Sequence, residues 1–370
     1  MEYHRPAWVA VDASAITRNV RTLKALTPRG TRFMAVIKAD GYGHGALEAA
    51  HAARAGGADR FGVATVDEAL ALRAAGVAEP LQILAEPPAE AAGLLVEHEI
   101  IATVTTREFA SALSRAAVRA GRPAAYHLKI DTGMNRIGVR AEDVGETVAA
   151  LRDLPGLVFE GAFTHFATAD EPGDWEFSRQ RERLDVALGQ LRTERRRPPI
   201  VHAANSAATI LHPSTHLDMV RCGIAIYGLQ PTPSTMGKVE LVPAMSVKSR
   251  VSLVKRIGLG DGVSYGFTWH ADGPTTIATV PIGYADGVHR VLSNKMRVLI
   301  GGRRCRQVGR ICMDQLMVEV PKGLDARQGD EVVLVGTQGT ERIAMEEMAE
   351  LAGTINYELA CGFALRLGRR

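Results

Sequence analysis

One lysine, Lys38, stands where a reactive amine is expected. It follows the apolar residues 33–37 and precedes a loop with three glycines in the stretch AVIKADGYGHG, residues 35–45. This pattern predicts the end of a buried strand, where water is scarce and the ammonium form of lysine is disfavoured. The neutral amine is a nucleophile that forms a Schiff base with a carbonyl group. Lys38 is therefore the first candidate for covalent chemistry.

Other polar side chains also stand at the ends of apolar runs. Each alone has a simple structural explanation, since a lysine can extend to solvent, a histidine can be a hydrogen-bonded core residue and a serine can cap a helix. Their convergence favours a shared site, because the carboxyl ends of the strands of a parallel barrel lie on one face. These residues are Lys129, Asp131, Arg136, His165, Asn205, Ser206 and Arg221.

The set suits one carbonyl cofactor, pyridoxal phosphate. Besides the lysine, this cofactor needs a phosphate-binding site and a partner for its pyridine nitrogen. Barrels bind phosphate with the loops after strands 7 and 8, where the sequence has NSAA (205–208) and CGIA (222–225). Ser206 offers a hydroxyl there, and Gly223 and Ile224 offer backbone N–H groups. Arg221 is then expected beside the pyridine ring.

The pattern of elements predicts a (β/α)8 barrel of the TIM type. Short apolar runs alternate with alanine-rich amphipathic segments such as 67–76 and 107–121. This alternation indicates parallel strands separated by helices. The predicted strands are 32–39, 61–66, 81–86, 100–106, 125–131, 157–167, 199–205 and 216–223.

A second, mostly-β domain is predicted after the barrel. Residues 228–238 are rich in Pro, Gly, Ser and Thr, which is typical of a linker. We place the barrel, as the cofactor-binding domain, at 1–239 and the β domain at 240–370, with the option that the first ten or so residues pair with the β domain. Within the second domain only 341–353 is predicted to be helical, and the β-rich runs are 245–254, 275–284, 296–302, 315–320 and 330–336.

Composition narrows the classes of function. The 370 residues are 46% hydrophobic and 23% charged, with a net charge of +3, as in a typical globular protein. The basic clusters are short, so nucleic-acid binding is not expected. No stretch approaches the ~18 to 20 apolar residues of a membrane span and the N-terminus has no apolar signal core, so we expect a cytoplasmic protein with no membrane partner. The four cysteines lack zinc spacing, and no metal site is expected.

Eight motifs, in the family's order, resemble the pyridoxal-phosphate-dependent alanine racemases. They cover nearly the whole chain, and one departure is Cys222, where a proline or an apolar residue is expected. The resemblance implies a homodimer that interconverts L-alanine and D-alanine by a two-base mechanism and supplies D-alanine for peptidoglycan. The motifs are AVIKADGYGHG (35–45), KIDTGMNRIG (129–138), THFATAD (164–170), HAANSAA (202–208), RCGIAIYG (221–228), VSYG (263–266), PIGYADG (281–287) and GRICMDQ (309–315).

The same resemblance implies roles for individual residues. Lys38 would carry the cofactor and move the α-proton on one face of the substrate. Tyr265 would serve the other face, supplied by the β domain of the partner subunit. Contacts to the cofactor are implied for Tyr42, Arg136, His165, Asn205, Ser206, Arg221, Gly223, Ile224 and Tyr357.

Further implied roles concern the substrate and the surroundings of the cofactor. Arg136 and the backbone N–H of Met313 would bind the substrate, and Lys129 matches a position that carries a carbamate in many relatives. His165 would link Tyr265 to Arg221. The route by which the substrate reaches the site is implied to be lined by Asp170, Tyr284 and Arg290.

Three alternatives remain open from the sequence. A non-catalytic cofactor-binding protein of the single-barrel type would have no use for a β domain. A decarboxylase on the same two-domain plan is expected to have an acidic residue at the ring nitrogen, where this sequence has Arg221. A racemase for serine, lysine or a broad set of amino acids is excluded less well, because pocket size depends on side-chain packing.

Overall fold

A computed structural model describes residues 4–171, 173–363 and 366–370. The chain divides into two compact units. The barrel unit consists of Ser14–Gly41 and Gly45–Val242, and the β unit consists of the residues up to Ala13 together with Tyr42–His44 and Pro243–Arg370.

The strands, in chain order, are β1 (Ala7–Val11), β2 (Arg32–Val36), β3 (Arg60–Val63), β4 (Leu81–Ile83), β5 (Ile100–Val104), β6 (Ala124–Asp131), β7 (Val139–Arg140), β8 (Leu157–Phe163), β9 (Ile200–His202), β10 (Met219–Cys222), β11 (Met245–Arg250), β12 (Leu253–Ile257), β13 (Thr275–Val280), β14 (Arg297–Ile300), β15 (Arg303–Val308), β16 (Leu316–Val320), β17 (Glu331–Gln338), β18 (Glu341–Ile343) and β19 (Gly368–Arg369). The α-helices are α1 (Ala13–Ala25), α2 (Ala46–Gly56), α3 (Val66–Ala74), α4 (Ala92–Glu97), α5 (Arg107–Ala120), α6 (Val144–Leu151), α7 (Trp175–Thr193), α8 (Ser206–Leu211), α9 (Met345–Ala352) and α10 (Asn356–Gly362).

The barrel unit contains the predicted closed ring of parallel strands. Its order is β5-β4-β3-β2-β10-β9-β8-β6, and pairing of β5 with β6 closes the ring. The short strand β7 pairs with β6 beside the ring. The prediction of an α/β fold with an N-terminal (β/α)8 barrel and a C-terminal mostly-β domain is therefore confirmed.

The apolar runs of the barrel follow from burial of both faces of each strand. β3 and β5 are buried at every position, and β2 at all but its first residue. A strand covered on one face by the barrel interior and on the other by helices has no face left for polar residues. Met34, Ile200 and Met219, from three neighbouring strands, form one core cluster with Leu84 packed against it.

Local capping signals set the helix bounds. Thr65 and Glu68 form a reciprocal capping box at the start of α3. Gly57 and Gly121 adopt the left-handed conformation just after α2 and α5, where their N–H groups bond to the last turn.

The β unit is built on one largely antiparallel sheet. The order is β12-β13-β16-β15-β14-β17-β11-β1-β19, with β18 paired to β17. The N-terminal strand β1 lies antiparallel to β11, from Ala7 opposite Ser249 to Val11 opposite Met245. Packing within the unit includes a cluster of Val263, Ile277 and Val308 and a second one of Leu299, Val333 and Ile343.

Several predicted bounds in the barrel are wrong in the same direction. β2 ends at Val36 instead of residue 39, and β8 ends at Phe163 instead of residue 167. The residues beyond these strand ends remain buried, as Ile37 and Phe166 are. A buried loop and a buried strand have the same composition, so apolar runs predict strands that are too long.

The β unit also differs from prediction in detail. The run 245–254 forms two strands, β11 and β12, and the arginine-rich segment 303–308 forms β15. The predicted helix 341–353 begins with the strand β18, and α10 carried no helical signal. Cross-strand neighbours, which the local pattern does not contain, decide the strands among these elements.

Among the helices that the structure describes, none is both long enough and apolar enough to cross a lipid bilayer.

Candidate active site

Lys38 begins a left-handed turn. The residues after it, Ala39, Asp40 and Gly41, have φ angles of 51°, 52° and 63°. This conformation costs a non-glycine residue roughly 1–2 kcal/mol, and such strain is concentrated at functional sites. Lys38 itself is half-buried and lies two residues beyond the end of β2. The sequence predicted a strand through this position, whereas the backbone makes a tight turn here.

Hydrogen bonds hold the turn after Lys38 in place. Glu68 accepts from the N–H of Ala39 at 2.6 Å and from the N–H of Ala64 at 2.8 Å. The carboxylate of Asp40 accepts from the N–H of Ala46, the first residue of α2, at 2.8 Å. The turn is thereby fixed both to the loop after β3 and to the start of α2.

Arg221 on β10 is buried, and its contacts fix the plane of the guanidinium. It donates to Nδ1 of His202 at 3.0 Å and to Nδ1 of His165 at 3.1 Å. It also donates to the carbonyls of Thr164 at 2.8 Å and Ala203 at 3.0 Å. Burial lowers the pKa of Arg221 to about 10, so it stays protonated at neutral pH. Arg221 is therefore a rigid group that only donates.

The histidines beside Arg221 are neutral. Burial and then the charge of Arg221 hold the pKa values of His165 and His202 well below the usual range. A neutral imidazole that accepts a hydrogen bond at Nδ1 carries its proton on Nε2. The Nε2 atom of each histidine can therefore donate a hydrogen bond. The cationic residues that lower the pKa of His165 are, in order, Arg221, Arg136, Lys129 and Lys38.

Lys129 on β6 is also buried, with 3% of its surface exposed. Its Nζ donates to the carbonyl of Ile130 at 3.0 Å and lies 5.6 Å from the ring centroid of Phe163. Burial, followed by the charges of Arg221 and Arg136, lowers its pKa to about 7. A substantial fraction of Lys129 is therefore the neutral, nucleophilic amine near neutral pH.

The loop that carries Arg136 is shaped by Asp131. The carboxylate accepts from the N–H groups of Gly133 at 2.9 Å and Asn135 at 3.1 Å. Gly138 has a φ of 129°, and a Cβ at this residue would lie 2.7 Å from the nitrogen of Asp131. Both ends of the loop are thus constrained, and Arg136 is exposed on it.

The loops after β9 and β10 meet at Ser206. The hydroxyl of Ser206 accepts from the N–H of Gly223 at 3.0 Å, and both residues are buried. Gly223 leads into the short helical turn Ile224–Tyr227. Asn205 caps α8 by accepting from the N–H of Ala208 at 2.9 Å. This is the place where barrels of this type bind phosphate.

Comparison with known proteins identifies the family. The family model described as "Alanine racemase, N-terminal domain" matches residues 11–231, and "Alanine racemase, C-terminal domain" matches residues 244–370. The chain belongs to the alanine racemase family. The alanine racemase of Symbiobacterium thermophilum is 48% identical over 366 residues, 99% of this chain and 97% of that protein. That of Desulfovibrio desulfuricans is 44% identical, covering 100% and 99% of the two chains.

Solved alanine racemases share the whole fold. The structure from E. faecalis superposes with a TM-score of 0.95 at 40% identity, covering 100% of this chain and 99% of the other. The structure from Bacillus anthracis with bound L-Ala-P gives a TM-score of 0.94 at 37% identity, covering 100% and 95%. The family predicted from the sequence motifs is confirmed.

In the β unit, Tyr265 lies in a strained segment. The preceding Ser264 has a φ of 65°, and Gly266 and Phe267 have φ angles of 68° and 43°. The hydroxyl of Ser264 donates to the carbonyl of Arg310 at 2.6 Å. Tyr265 itself is 70% exposed in the single chain. A plain glycine-rich turn would not need left-handed serine and phenylalanine residues, so this segment holds the phenol outward at a cost.

The backbone around Met313 is tied to the turn that begins at Tyr284. Tyr284 donates from its N–H to the carbonyl of Cys312 at 2.9 Å, and Ala285 donates to the carbonyl of Met313 at 3.1 Å. A Cβ at Gly283 would lie 2.3 Å from the carbonyl oxygen of Cys312, so only glycine allows this approach. The side chains of Met313 and Tyr284 remain exposed.

The other predicted site residues lie in both units. Tyr42 and Tyr357 meet within the β unit, with ring centroids 6.1 Å apart. Arg290 is exposed at the start of the short turn Arg290–Leu292 in the same unit. Asp170 is half-buried in the loop after β8 in the barrel unit.

Sequence reasoning missed two kinds of supporting residue in this alanine racemase family member. Gln180 on α7 donates to the carbonyl of His165 at 3.3 Å and accepts from the N–H of Ala167 at 2.8 Å, which holds the loop after β8. No local pattern separates it from the polar residues around it on α7. His127 and His202 did carry a signal, because each is a histidine inside an otherwise buried strand.

The donors of the barrel unit fit pyridoxal phosphate. That cofactor requires an amine, a partner for its pyridine nitrogen and a set of hydrogen-bond donors for its phosphate. In the barrel unit Lys38 offers an amine, Arg221 offers a fixed hydrogen-bond donor, and the loops joined by the bond from Gly223 to Ser206 offer a place for a phosphate.

Proposed function

We propose that this chain is a pyridoxal-phosphate-dependent alanine racemase that interconverts L-alanine and D-alanine. The observation that carries the proposal is the arrangement at Arg221, a buried donor fixed by His165 and His202 in the same barrel as the amine of Lys38. The relatives named alanine racemase, together with the two family models that match this chain, support the reaction and the substrate.

The residues of the barrel unit would hold the cofactor. Lys38 would bind it covalently, and Arg221 would donate a hydrogen bond to its pyridine nitrogen. Ser206, Gly223 and Ile224 would contact its phosphate. Further contacts are proposed, on the resemblance, from Tyr42, Arg136, His165, Asn205 and Tyr357.

When bound, pyridoxal phosphate supplies an electron sink that acidifies the α-hydrogen of an amino acid. Arg221 would weaken that electron sink, because a protonated guanidinium would donate a hydrogen bond to the ring nitrogen and discourage its protonation. The proton removed from the substrate is then expected to return quickly. Fast return favours racemisation over side reactions such as transamination.

Two residues would move the proton. Lys38 would act on one face of the α-carbon, and Tyr265 of the partner subunit in a homodimer would act on the other. A phenol has an ordinary pKa near 10 and is a weak base at neutral pH without help. His165 accepts from Arg221 at Nδ1. It would donate from Nε2 to the phenol oxygen of the partner subunit's Tyr265 and so stabilise the phenolate anion.

Lys129 would stabilise the site as a carbamate. Its neutral amine would attack the carbon of carbon dioxide, forming an N–C bond and releasing a proton, and the product is an anion. The low pKa of Lys129, about 7, supports this reaction near neutral pH. The carbamate would hold Arg136, which with the N–H of Met313 would bind the substrate.

The remaining proposed roles concern supply and specificity. Asp170, Tyr284 and Arg290 would line the route of the substrate, and the D-alanine formed would serve peptidoglycan synthesis.

The test uses the purified protein loaded with pyridoxal phosphate. L-Alanine and D-alanine are added in separate samples, and optical rotation is followed. We expect both samples to decay to zero rotation, and the variant Lys38→Ala to leave both unchanged because it lacks the amine that binds the cofactor. The same assay with serine and lysine measures the substrate range. Stable rotation from both alanine enantiomers with the loaded wild type would contradict the proposal.

A further inference from the structure

Hydrogen-bonded side chains form a chain through the barrel unit from Arg221 to Arg60. Arg221 contacts His202 at 3.0 Å, and Nε2 of His202 lies 2.8 Å from Nδ1 of His127. Nε2 of His127 lies 2.9 Å from Oε2 of Glu160. Arg60, the first residue of β3, binds both carboxylate oxygens of Glu160 at 2.9 Å and 2.8 Å. Both histidines are fully buried.

Only one placement of protons satisfies every bond of this chain. Arginine can only donate, and an ionised carboxylate can only accept. His202 must therefore accept at Nδ1 and donate from Nε2, and His127 must do the same toward Glu160. Burial, which the carboxylate of Glu160 offsets only in part, lowers the pKa of His127, so the neutral form that this arrangement needs is favoured.

The carboxylate end is ionised. Burial alone would raise the pKa of Glu160, but hydrogen bonds from His127 and Arg60 outweigh it and lower the pKa to about 2. The direct partners of Arg221 are imidazole nitrogens and backbone carbonyls, which are neutral. Glu160 is thus the first negative group reached along the chain that starts at Arg221.

The backbone of β8 is shaped to bring Glu160 into this chain. Phe159 pairs with Tyr126 and Gly161 pairs with His127, which leaves Glu160 as an extra residue in a bulge. If side chains alternated strictly along β8, Glu160 would lie on the face opposite Gly161. A bulge changes the direction of a side chain, and Glu160 reaches His127.

Gly161 makes room for the histidine. A Cβ at this residue would lie 2.4 Å from Cε1 and from Nδ1 of His127. Two consecutive residues of β8 are therefore adapted to the imidazole of His127.

We propose that Glu160, held by Arg60, is a positioning residue that orients Arg221 through His127 and His202. By accepting from His127 it fixes the protons on both imidazoles, so His202 always presents a lone pair to Arg221. If both histidines changed to the other tautomer, the N–H of His202 would face the N–H of Arg221, and the guanidinium would lose its fixed plane. The consequence for turnover rests on the proposed function, whereas the tautomers do not.

The test measures which ring nitrogens of His127 and His202 carry a proton in the enzyme loaded with pyridoxal phosphate. Long-range ¹H–¹⁵N spectra of protein labelled in its histidine rings distinguish protonated from unprotonated ring nitrogens, and His127→Asn and His202→Asn assign the signals. Glu160→Leu removes the acceptor at similar volume, and Glu160→Gln keeps an oxygen acceptor. The control is Glu331→Leu, which removes a carboxylate paired with Lys248 at 3.2 Å in the β unit.

We expect His127 and His202 to be protonated only at Nε2 in the wild type, in Glu160→Gln and in the control. In Glu160→Leu, signals of the Nδ1–H form should appear and kcat for alanine should fall, by up to about 100-fold for a misplaced group, with Glu160→Gln recovering most of the loss.

Two results would overturn the proposal. One is a proton on Nδ1 of either histidine in the wild type, which needs no variant to fold. The other is a loss of turnover in Glu160→Leu with unchanged tautomers, which would make the role of Glu160 purely structural. A wild type that leaves alanine unchanged would contradict the proposed function and not the tautomer assignment.

Discussion

At the scale of single residues, two basic side chains share one aromatic ring and titrate differently. Nζ of Lys129 lies 5.6 Å and Cζ of Arg221 lies 5.4 Å from the ring centroid of Phe163. Burial lowers the pKa of Arg221 to about 10 and that of Lys129 to about 7. A guanidinium starts from a higher pKa than an ammonium, so near neutral pH the shared environment leaves Arg221 charged and Lys129 divided between its charged and neutral forms.

Lys129 therefore gives stability a defined dependence on pH. In the unfolded chain it binds a proton up to its ordinary pKa of 10.5, whereas in the folded chain it loses that proton above about 7. Between these values the unfolded state binds more protons, so stability should rise with pH, at up to about 1.4 kcal/mol per pH unit. Lys129→Met should lack this contribution, so the free energy of unfolding of the wild type should rise with pH relative to that of the variant, measured by urea unfolding from pH 7 to 10 in buffer free of carbon dioxide.

The control for that measurement is Lys255→Met, since Lys255 is exposed. This variant should follow the wild type at each pH. A difference between wild type and Lys129→Met that stays constant from pH 7 to 10 would contradict the low pKa of Lys129.

At the scale of elements, the left-handed turn after Lys38 stores strain. Ala39 is exposed with φ at 51°, a conformation that costs alanine roughly 1–2 kcal/mol and glycine very little. After allowing for the greater freedom of glycine in the unfolded chain, Ala39→Gly should stabilise the protein by about 0.5–1 kcal/mol in urea unfolding. It should also lower kcat, because the backbone that carries Lys38 becomes less rigid.

A matched variant separates this effect from that of glycine in general. Ala75, also exposed, has a φ of −81°, so Ala75→Gly relieves no strain and should be neutral or destabilising. Equal stability changes in the two variants would show that the turn stores no strain.

Some elements could be predicted from the sequence and others could not. Alternating apolar runs and helical patterns were enough to predict the barrel, and polar residues at strand ends predicted that Lys129, His165 and Arg221 would meet. Alternation fails at Glu160, because a one-residue bulge reverses its face and nothing in the local sequence encodes a register shift. The left-handed turn after Lys38 could not be predicted either, since alanine does not favour the left-handed conformation.

The bulge in β8 leads to a prediction at its glycine. Gly161→Ala would place a methyl group 2.4 Å from the ring of His127, and forcing extra volume into a packed core costs about 1–3 kcal/mol. The control is Gly189→Ala within α7, where the nearest atom to the new Cβ lies 3.8 Å away. This change should stabilise by about 0.5–1 kcal/mol. Urea unfolding measures both, and an undiminished stability in Gly161→Ala would mean that the His127 ring is not held in place.

At the scale of the whole molecule, the two proposed catalytic residues lie far apart in the chain and in different units. Lys38 belongs to the barrel unit and Tyr265 to the β unit. The sequence motifs predicted which residues these would be, because each lies in a recognisable segment. They contain no physical signal for the proposal that Tyr265 acts in a partner subunit, since an interface between subunits would depend on a surface formed only after folding.

Reversal of configuration at a carbon requires a proton to leave one face and return to the other, and a lysine tethered on one side does not easily serve both. If Tyr265 of the partner subunit is the second group, Lys38→Ala and Tyr265→Phe are each inactive for a different reason. Tyr265→Phe should lose ~10² to 10⁴ in rate while the absorbance of the bound cofactor survives. Mixing the two variants under conditions that exchange subunits gives mixed dimers with one site that has both groups and one that has neither, so activity should reappear. Subunit exchange is verified independently with a tagged copy, and mixtures that exchange and remain inactive would refute the shared site.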